Sequence, residues 1–293
     1  MEPLKLPKTY EGQIRHLIDF HGLSITDWKE AVGILSRVNY YRLSAYGIGL
    51  KEPSNNERFL PGISLSHLYH LYDFDSQLRS ALSPLIESIE IELRSRISYR
   101  LALQYGSEGY RDPANFQKIN NKKQEDIFQN TIKQFDNEVE RQSKLPCVQH
   151  HINKYGGHFP VWAAMELFSF GMVSSLYTVM LPEDRNAIAK LYQTHSDHLQ
   201  SWILSALELR NICAHYNRIY NMPLKKSPYL YRENRLYASN KLFPAILTMK
   251  RMSHDPIVWN RFFSSLTNLI DSFPEVKLVF RGFPQHWHEI LNQ

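Results

Sequence analysis

The run Arg210-Asn211-Ile212-Cys213-Ala214-His215, continued by Tyr216-Asn217-Arg218-Ile219-Tyr220-Asn221, sets guanidinium groups, amides and an imidazole in one short stretch. Such groups can cut RNA without a metal. Attack by the 2′-hydroxyl on the adjacent phosphorus needs a base for that hydroxyl, an acid for the departing oxygen and positive charge on the crowded phosphate. Histidine, with a reference pKa near 6.5, serves in either proton-transfer role at neutral pH.

An apolar stripe runs through the same stretch. Leu199, Trp202, Ala206, Leu209, Cys213, Tyr216 and Tyr220 recur at spacings of three and four, which predicts one buried helical seam over residues 196 to about 221. At about 100° per residue, His215 then lies opposite the seam, with Asn211 a turn before it, Arg218 just under a turn after it and Glu208 on the same side. Asn211 is placed at i, i+4 to hold the ring in one tautomer. Arg210 is five residues from His215 and points about 140° away, so it must reach around the helix or act on a phosphate held between helices or subunits.

Spacing alone is weak support. A chain with this much arginine and histidine produces any one chosen Arg-to-His separation roughly once by accident. Arg281-Gly-Phe-Pro-Gln-His286 repeats the separation, but Gly282 and Pro284 forbid a regular helix there. The alternative for Arg210 and His215 is an ordinary solvated helix face.

The elements that must position these groups read as helices throughout, giving an all-α fold class. Short helices are expected near residues 10–20 and, after Ser24, Thr26 and Asp27 as cap candidates, over 28–38. The aromatic run Asn39-Tyr40-Tyr41-Arg42-Leu43-Ser44-Ala45-Tyr46 suits either base stacking or packing between helices. Residues 51–62 read as a loop or small hairpin, and Ser64 caps a long helix to about residue 105 with Pro84 as a kink candidate. In that helix Ile86, Ile89, Leu93, Ile97 and Leu101 form a stripe beside a charged face. On that face Arg94 and Arg96 either meet phosphate beside His215 or stay in salt bridges. A polar helix is expected over 117–141, a loop over 146–159, a continuous apolar helix over 160–180 and a short one from Pro182. Residues 222–240 are irregular, with Lys225, Lys226, Arg232 and Arg235 among Tyr229, Tyr231 and Tyr237, a mixture suited to single-stranded RNA or to a plain surface loop. Asp255-Pro256 opens a final long helix, and Trp287 is expected to pack back on the core.

The bulk numbers set limits. A chain of 293 residues, 43% hydrophobic and 13% aromatic, buries a sizeable core. The organisation expected is an N-terminal helical segment (1–62) and a larger helical domain (63–293), with the two interlocked as an alternative. A formal charge of +5 permits a nucleic-acid partner without requiring one. Two cysteines give no disulfide framework, and no apolar leader or spanning run is present, so a cytoplasmic protein away from membranes is expected. His150, His151, His158, His195 and His198 lack metal-ligand spacing, so neither a metal nor a cofactor is expected.

Asn39-Tyr-Tyr-Arg-Leu-Ser, Ile89-Glu-Ile-Glu-Leu-Arg-Ser-Arg-Ile, Pro160-Val-Trp-Ala-Ala-Met-Glu-Leu-Phe-Ser-Phe-Gly and Arg210-Asn-Ile-Cys-Ala-His occur in this order. With them the chain resembles the bacterial Abi-like family (AbiD/AbiF type), of the HEPN superfamily of helical ribonuclease domains, over roughly residues 10–270. The resemblance implies a HEPN-like bundle with additional helices and an abortive-infection toxin that defends against phage by cutting RNA. It also implies an Arg-x4-His catalytic signature on Arg210 and His215, with Asn211 as the polar residue after the arginine. Some relatives are linked to a small non-coding RNA, so such an RNA, or an antitoxin, joins the RNA substrate among expected partners.

Only one such motif is credible here, and one imidazole does not easily act as both acid and base. A homodimer bringing two motifs together follows as an expectation. Within it Arg210 stabilises charge, His215 transfers protons and Asn211 orients the ring or meets a phosphate oxygen. Arg218, Arg94, Arg96, Lys225 and Lys226 are the expected RNA contacts. The competing reading is a scaffold that binds RNA or protein without cutting.

Overall fold

The computed structural model describes residues 4, 6–123, 125–276 and 278–292. Its chain order is α1 (Tyr10–Asp19), α2 (Trp28–Arg37), α3 (Tyr40–Ser44), β1 (Lys51–Glu52), β2 (Asn55–Phe59), α4 (Leu65–Tyr105), α5 (Ile127–Arg141), α6 (Pro146–Tyr155), α7 (Val161–Leu167), α8 (Phe170–Val179), α9 (Pro182–Leu191), α10 (Ser196–Ala214), α11 (Leu242–Met252), α12 (Pro256–Ser272) and α13 (Trp287–Asn292). The fold is all-α, and β1 and β2 form one small antiparallel hairpin.

Two apolar clusters meet at the start of α4. Ile14, Leu17, Ala31, Ile34 and Leu43 gather around Leu65 and Leu68 in the first. From Leu71 onward α4 belongs to the second and larger cluster. Ser64 starts the helix by accepting from the His67 N–H at 3.0 Å, which satisfies an amide the helix itself leaves free. Buried positions then recur every three or four residues, at Leu78, Leu82, Leu85, Ile89, Leu93, Ile97 and Leu101. That spacing lets 41 residues stay helical, Pro84 included, with α7, α10 and α12 packed around them.

Several segments depart from the reading above for local reasons. Residues 146–155 form α6 because Pro146 sits at the first helical position, where a missing N–H costs nothing. The apolar run 160–180 is split into α7 and α8, since Ser169 caps a new helix by accepting from the Met172 N–H at 3.3 Å. The polar helix expected over 117–141 occupies only Ile127–Arg141, and Asp126 is its cap. The largest correction is in the central stretch: α10 stops at Ala214, not near residue 221. Tyr216 takes the left-handed conformation at φ 54°, rare for a bulky residue, and is exposed. Tyr220 is buried, but it reaches the core from a loop.

Candidate functional site

The site is built on the last turn of α10 and the loop after it. Leu199, Trp202, Ala206, Leu209 and Cys213 fix one side of α10 in the core. The next residues are held by groups from distant parts of the chain. Arg42 of α3 donates to the Tyr216 carbonyl at 2.6 Å. Arg79 of α4 donates to the Asn217 carbonyl at 3.2 Å. Arg218 donates to the Ala45 carbonyl and lies over the Tyr46 ring.

Asp75 completes the clamp. Its carboxylate accepts from the Ile219 N–H at 3.2 Å, the Tyr220 N–H at 2.7 Å, the Tyr46 hydroxyl at 2.8 Å and Arg79 at 2.5 Å. It is fully buried, and burial pushes its carboxyl up against the opposing pull of those partners. Four donors around one carboxylate leave little freedom to the loop they hold. His215 is the residue between this loop and the helix. Its N–H donates to the Asn211 carbonyl at 3.0 Å, and its ring is exposed, with no side-chain hydrogen bond or ion pair among the described residues.

Two clefts flank the end of α10. On one side Arg210 shares a recess of about 390 Å³ with Ser83, Glu87, Glu90 and Tyr216. Arg210 Nε stands 3.8 Å from Glu90 Oε2, an ion pair without a tight hydrogen bond, and Glu90 is itself paired with Arg94. Burial holds the Glu90 carboxyl above its usual range, while Arg94 and Arg210 pull it down. On the other side Asn211, Asn217, Arg218, Lys225 and Lys226 border a cleft of about 550 Å³. Glu208 lines it too, with both carboxylate oxygens accepting from the N–H groups of Lys225 (2.7 Å) and Lys226 (2.6 Å).

The structure therefore divides the residues picked from sequence. Asn211, Arg218, Lys225 and Lys226 come together in one cleft; Arg210 meets Arg94 at Glu90 and also donates to the Asn211 side-chain oxygen at 3.4 Å; His215 stands at the tip and lines neither cleft. Arg218 no longer shares a helix face with Asn211 and His215, because the helix has ended, and its guanidinium is half-buried and occupied. Arg96 is elsewhere. It pairs with Glu92, which also meets His254 at 2.8 Å, and stacks at 4.2 Å over Tyr192. Two residues along a helix are about 200° apart, so Arg94 and Arg96 serve opposite sides of α4.

Arg281, from the second Arg-to-His spacing, is buried against Phe74 at 4.6 Å and Tyr220 at 4.3 Å and so supports the loop from behind. Among the aromatic run, Tyr46 is packed and Tyr41 is exposed. The histidines without metal spacing are engaged elsewhere: His151 stacks on Phe159 and His198 on Tyr231.

Asp75, Tyr46, Arg79 and Arg42 were missed as supporting residues. A signal for the first was present: Asp75 and Arg79 sit on the buried face of an otherwise apolar stripe at i, i+4, where charge is rare unless paired.

A family model described as Abi-like protein matches residues 33–221, from α2 through the clamped loop. No curated protein and no solved structure matches the chain.

Proposed function

The chain belongs to the Abi-like protein family, and from that premise we propose that it is a HEPN-type endoribonuclease acting in abortive infection. One observation carries the reading. An exposed imidazole stands at the end of α10, with the Asn211 amide and the Arg210 guanidinium about a turn behind it and 3.4 Å apart, just before a loop whose backbone is held by Arg42, Asp75 and Arg79. Fixed donors and a free imidazole are what transfer of a phosphoryl group between RNA hydroxyls requires.

In this scheme the RNA 2′-hydroxyl attacks phosphorus while His215 takes its proton. The bond to the 5′-oxygen breaks, and that oxygen receives a proton from a second acid, leaving a 2′,3′-cyclic phosphate and a 5′-hydroxyl. Arg210 stabilises the charge gathered on the phosphate. The second acid is His215 of another copy, so the proposed active form is a homodimer. The competing scaffold reading draws on the side-by-side arrangement of Arg210 with Glu87 and Glu90, which compete with phosphate for its charge.

The test is incubation of the purified protein with end-labelled single-stranded RNA in EDTA. Cleavage is expected, with cyclic-phosphate ends, and a loss of about 10²-fold or more in His215→Ala through lost acid-base catalysis and in Arg210→Ala through lost charge stabilisation. Undiminished cleavage by His215→Ala would overturn the assignment. Absence of cleavage with RNA binding intact would favour the scaffold.

A further inference from the structure

The cleft on the Asn211 side has more than positive charge. Apolar side chains line it, among them the half-buried Leu207 and Ile212 and the exposed Met222, whose sulfur accepts from Arg218 at 3.0 Å, and Asn211 and Asn217 line it as well. Glu208 is the acidic residue of its lining, and both oxygens of that carboxylate are taken by the backbone of Lys225 and Lys226. This arrangement pins the two lysines to the rim by their main chain and leaves their ammonium groups exposed. The two N–H dipoles also offset part of the repulsion that this carboxylate exerts on an anion. Neither lysine is in an ion pair among the described residues.

We propose that this cleft is a nucleotide subsite that reads one unpaired base of single-stranded RNA. The base lies against Leu207, Ile212 and Met222 with its edge toward Asn211 and Asn217, and Lys225 and Lys226 hold the flanking phosphates. A phosphate site alone needs no apolar lining, whereas a base has apolar faces and an edge of donors and acceptors. The Asn211 oxygen already accepts from Arg210 at 3.4 Å, which leaves its two amide donors, and Asn217 adds one acceptor and two donors, so the pair discriminates between bases. A recess of about 550 Å³ takes a small ligand and not a duplex. Asn211 then serves substrate recognition and not the His215 tautomer. The inference rests on the preceding reading only in taking the tip of α10 as the place where the RNA strand passes.

The experiment uses the full chain carrying His215→Ala, so that RNA stays whole. Fluorescein-labelled homopolymers of each base, and a duplex, are titrated by anisotropy over a salt series, and 4-thiouridine RNA is photo-crosslinked and mapped by mass spectrometry. Single strands are expected to bind in preference to duplex, with unequal affinity among bases and crosslinks at Met222 or Asn217. Lys225→Gln with Lys226→Gln is expected to flatten the slope of log affinity against log salt by about 1.4, at about 0.7 per single-strand phosphate, and to weaken binding about tenfold near physiological salt. Asn217→Ala should leave that slope unchanged and narrow the spread between bases. Equal binding of duplex, an unchanged slope in the lysine variant, or crosslinks confined to other surfaces would each overturn the inference; thermal melts guard against misfolded variants. The two readings fail separately. A wild-type chain that binds in this cleft and does not cut sinks the nuclease alone, and one that cuts with the same rate and fragment pattern in the cleft variants sinks the subsite alone.

Discussion

Replacing Asp75 by alanine strands a buried arginine. Asp75 and Arg79 are almost wholly inaccessible, 2.5 Å apart, one turn apart on α4. Removing one partner of such a pair typically costs about 3–5 kcal/mol, because the remaining charge stays buried without compensation. The N–H groups of Ile219 and Tyr220 lose their acceptor at the same time, at about 1–3 kcal/mol each if the loop does not relax. Against a typical total stability of about 5–15 kcal/mol, Asp75→Ala is expected to leave a chain near its folding threshold. Asp75→Asn keeps one acceptor oxygen but turns the other into an amide donor facing donors and still leaves Arg79 without a countercharge, so a loss of about 3–5 kcal/mol is expected there as well.

The assay is urea unfolding of wild type, both single variants, Arg79→Ala and the Asp75→Ala/Arg79→Ala double variant, accepted only where the slopes agree. The double variant should be less destabilised than the sum of its singles by about 0.5–3 kcal/mol, since it leaves no stranded charge. Asp75→Ala within about 1 kcal/mol of wild type would refute the clamp, as would singles that simply add.

Glu90 carries a pH dependence of definite sign. Its carboxyl is raised on folding by burial, so the folded chain binds more protons, and its contribution to stability is complete below the unfolded value and lost as pH rises through the folded one. The stability of wild type relative to Glu90→Gln is therefore expected to fall as pH climbs from its ordinary value of about 4.5; paired denaturation curves at several pH values read it, and a difference that grows with pH contradicts it. The two cysteines should separate by reactivity. Burial pushes the Cys213 thiol up to about 11, while Cys147 is exposed, so iodoacetamide near pH 8 should label Cys147 first and Cys213 only after unfolding. Equal labelling rates would mean that the end of α10 opens in the native chain.

Much of the scaffold was legible because it depends on neighbours in the chain. Ser64, Asp27 and Asp255 mark helix starts through hydrogen bonds to amides two or three residues away. The stripes of α4 and of α10 up to Cys213 are legible for the same reason: a helix brings positions three and four apart onto one side. The hairpin over 51–59 follows from its turn residues. The end of α10 was not legible. Tyr216 and Tyr220 continue the helical spacing, and no glycine or proline interrupts residues 215–221, so nothing local announces the stop.

The sequence by itself determined an all-α chain, the helix that carries Arg210 and Asn211, and the kinds of chemistry those groups allow. Only the tertiary structure decided where each group faces. Arg42 meets Tyr216, and Asp75 meets Tyr220, across more than a hundred residues, and these bonds turn the chain out of the helix just after His215. Packing of α4 beside α10 sends Arg210 to Glu90, while the returning loop brings Lys225 and Lys226 to Asn211. Periodic burial is written in short-range order, but pairing between distant charges exists only once the core has set their distance.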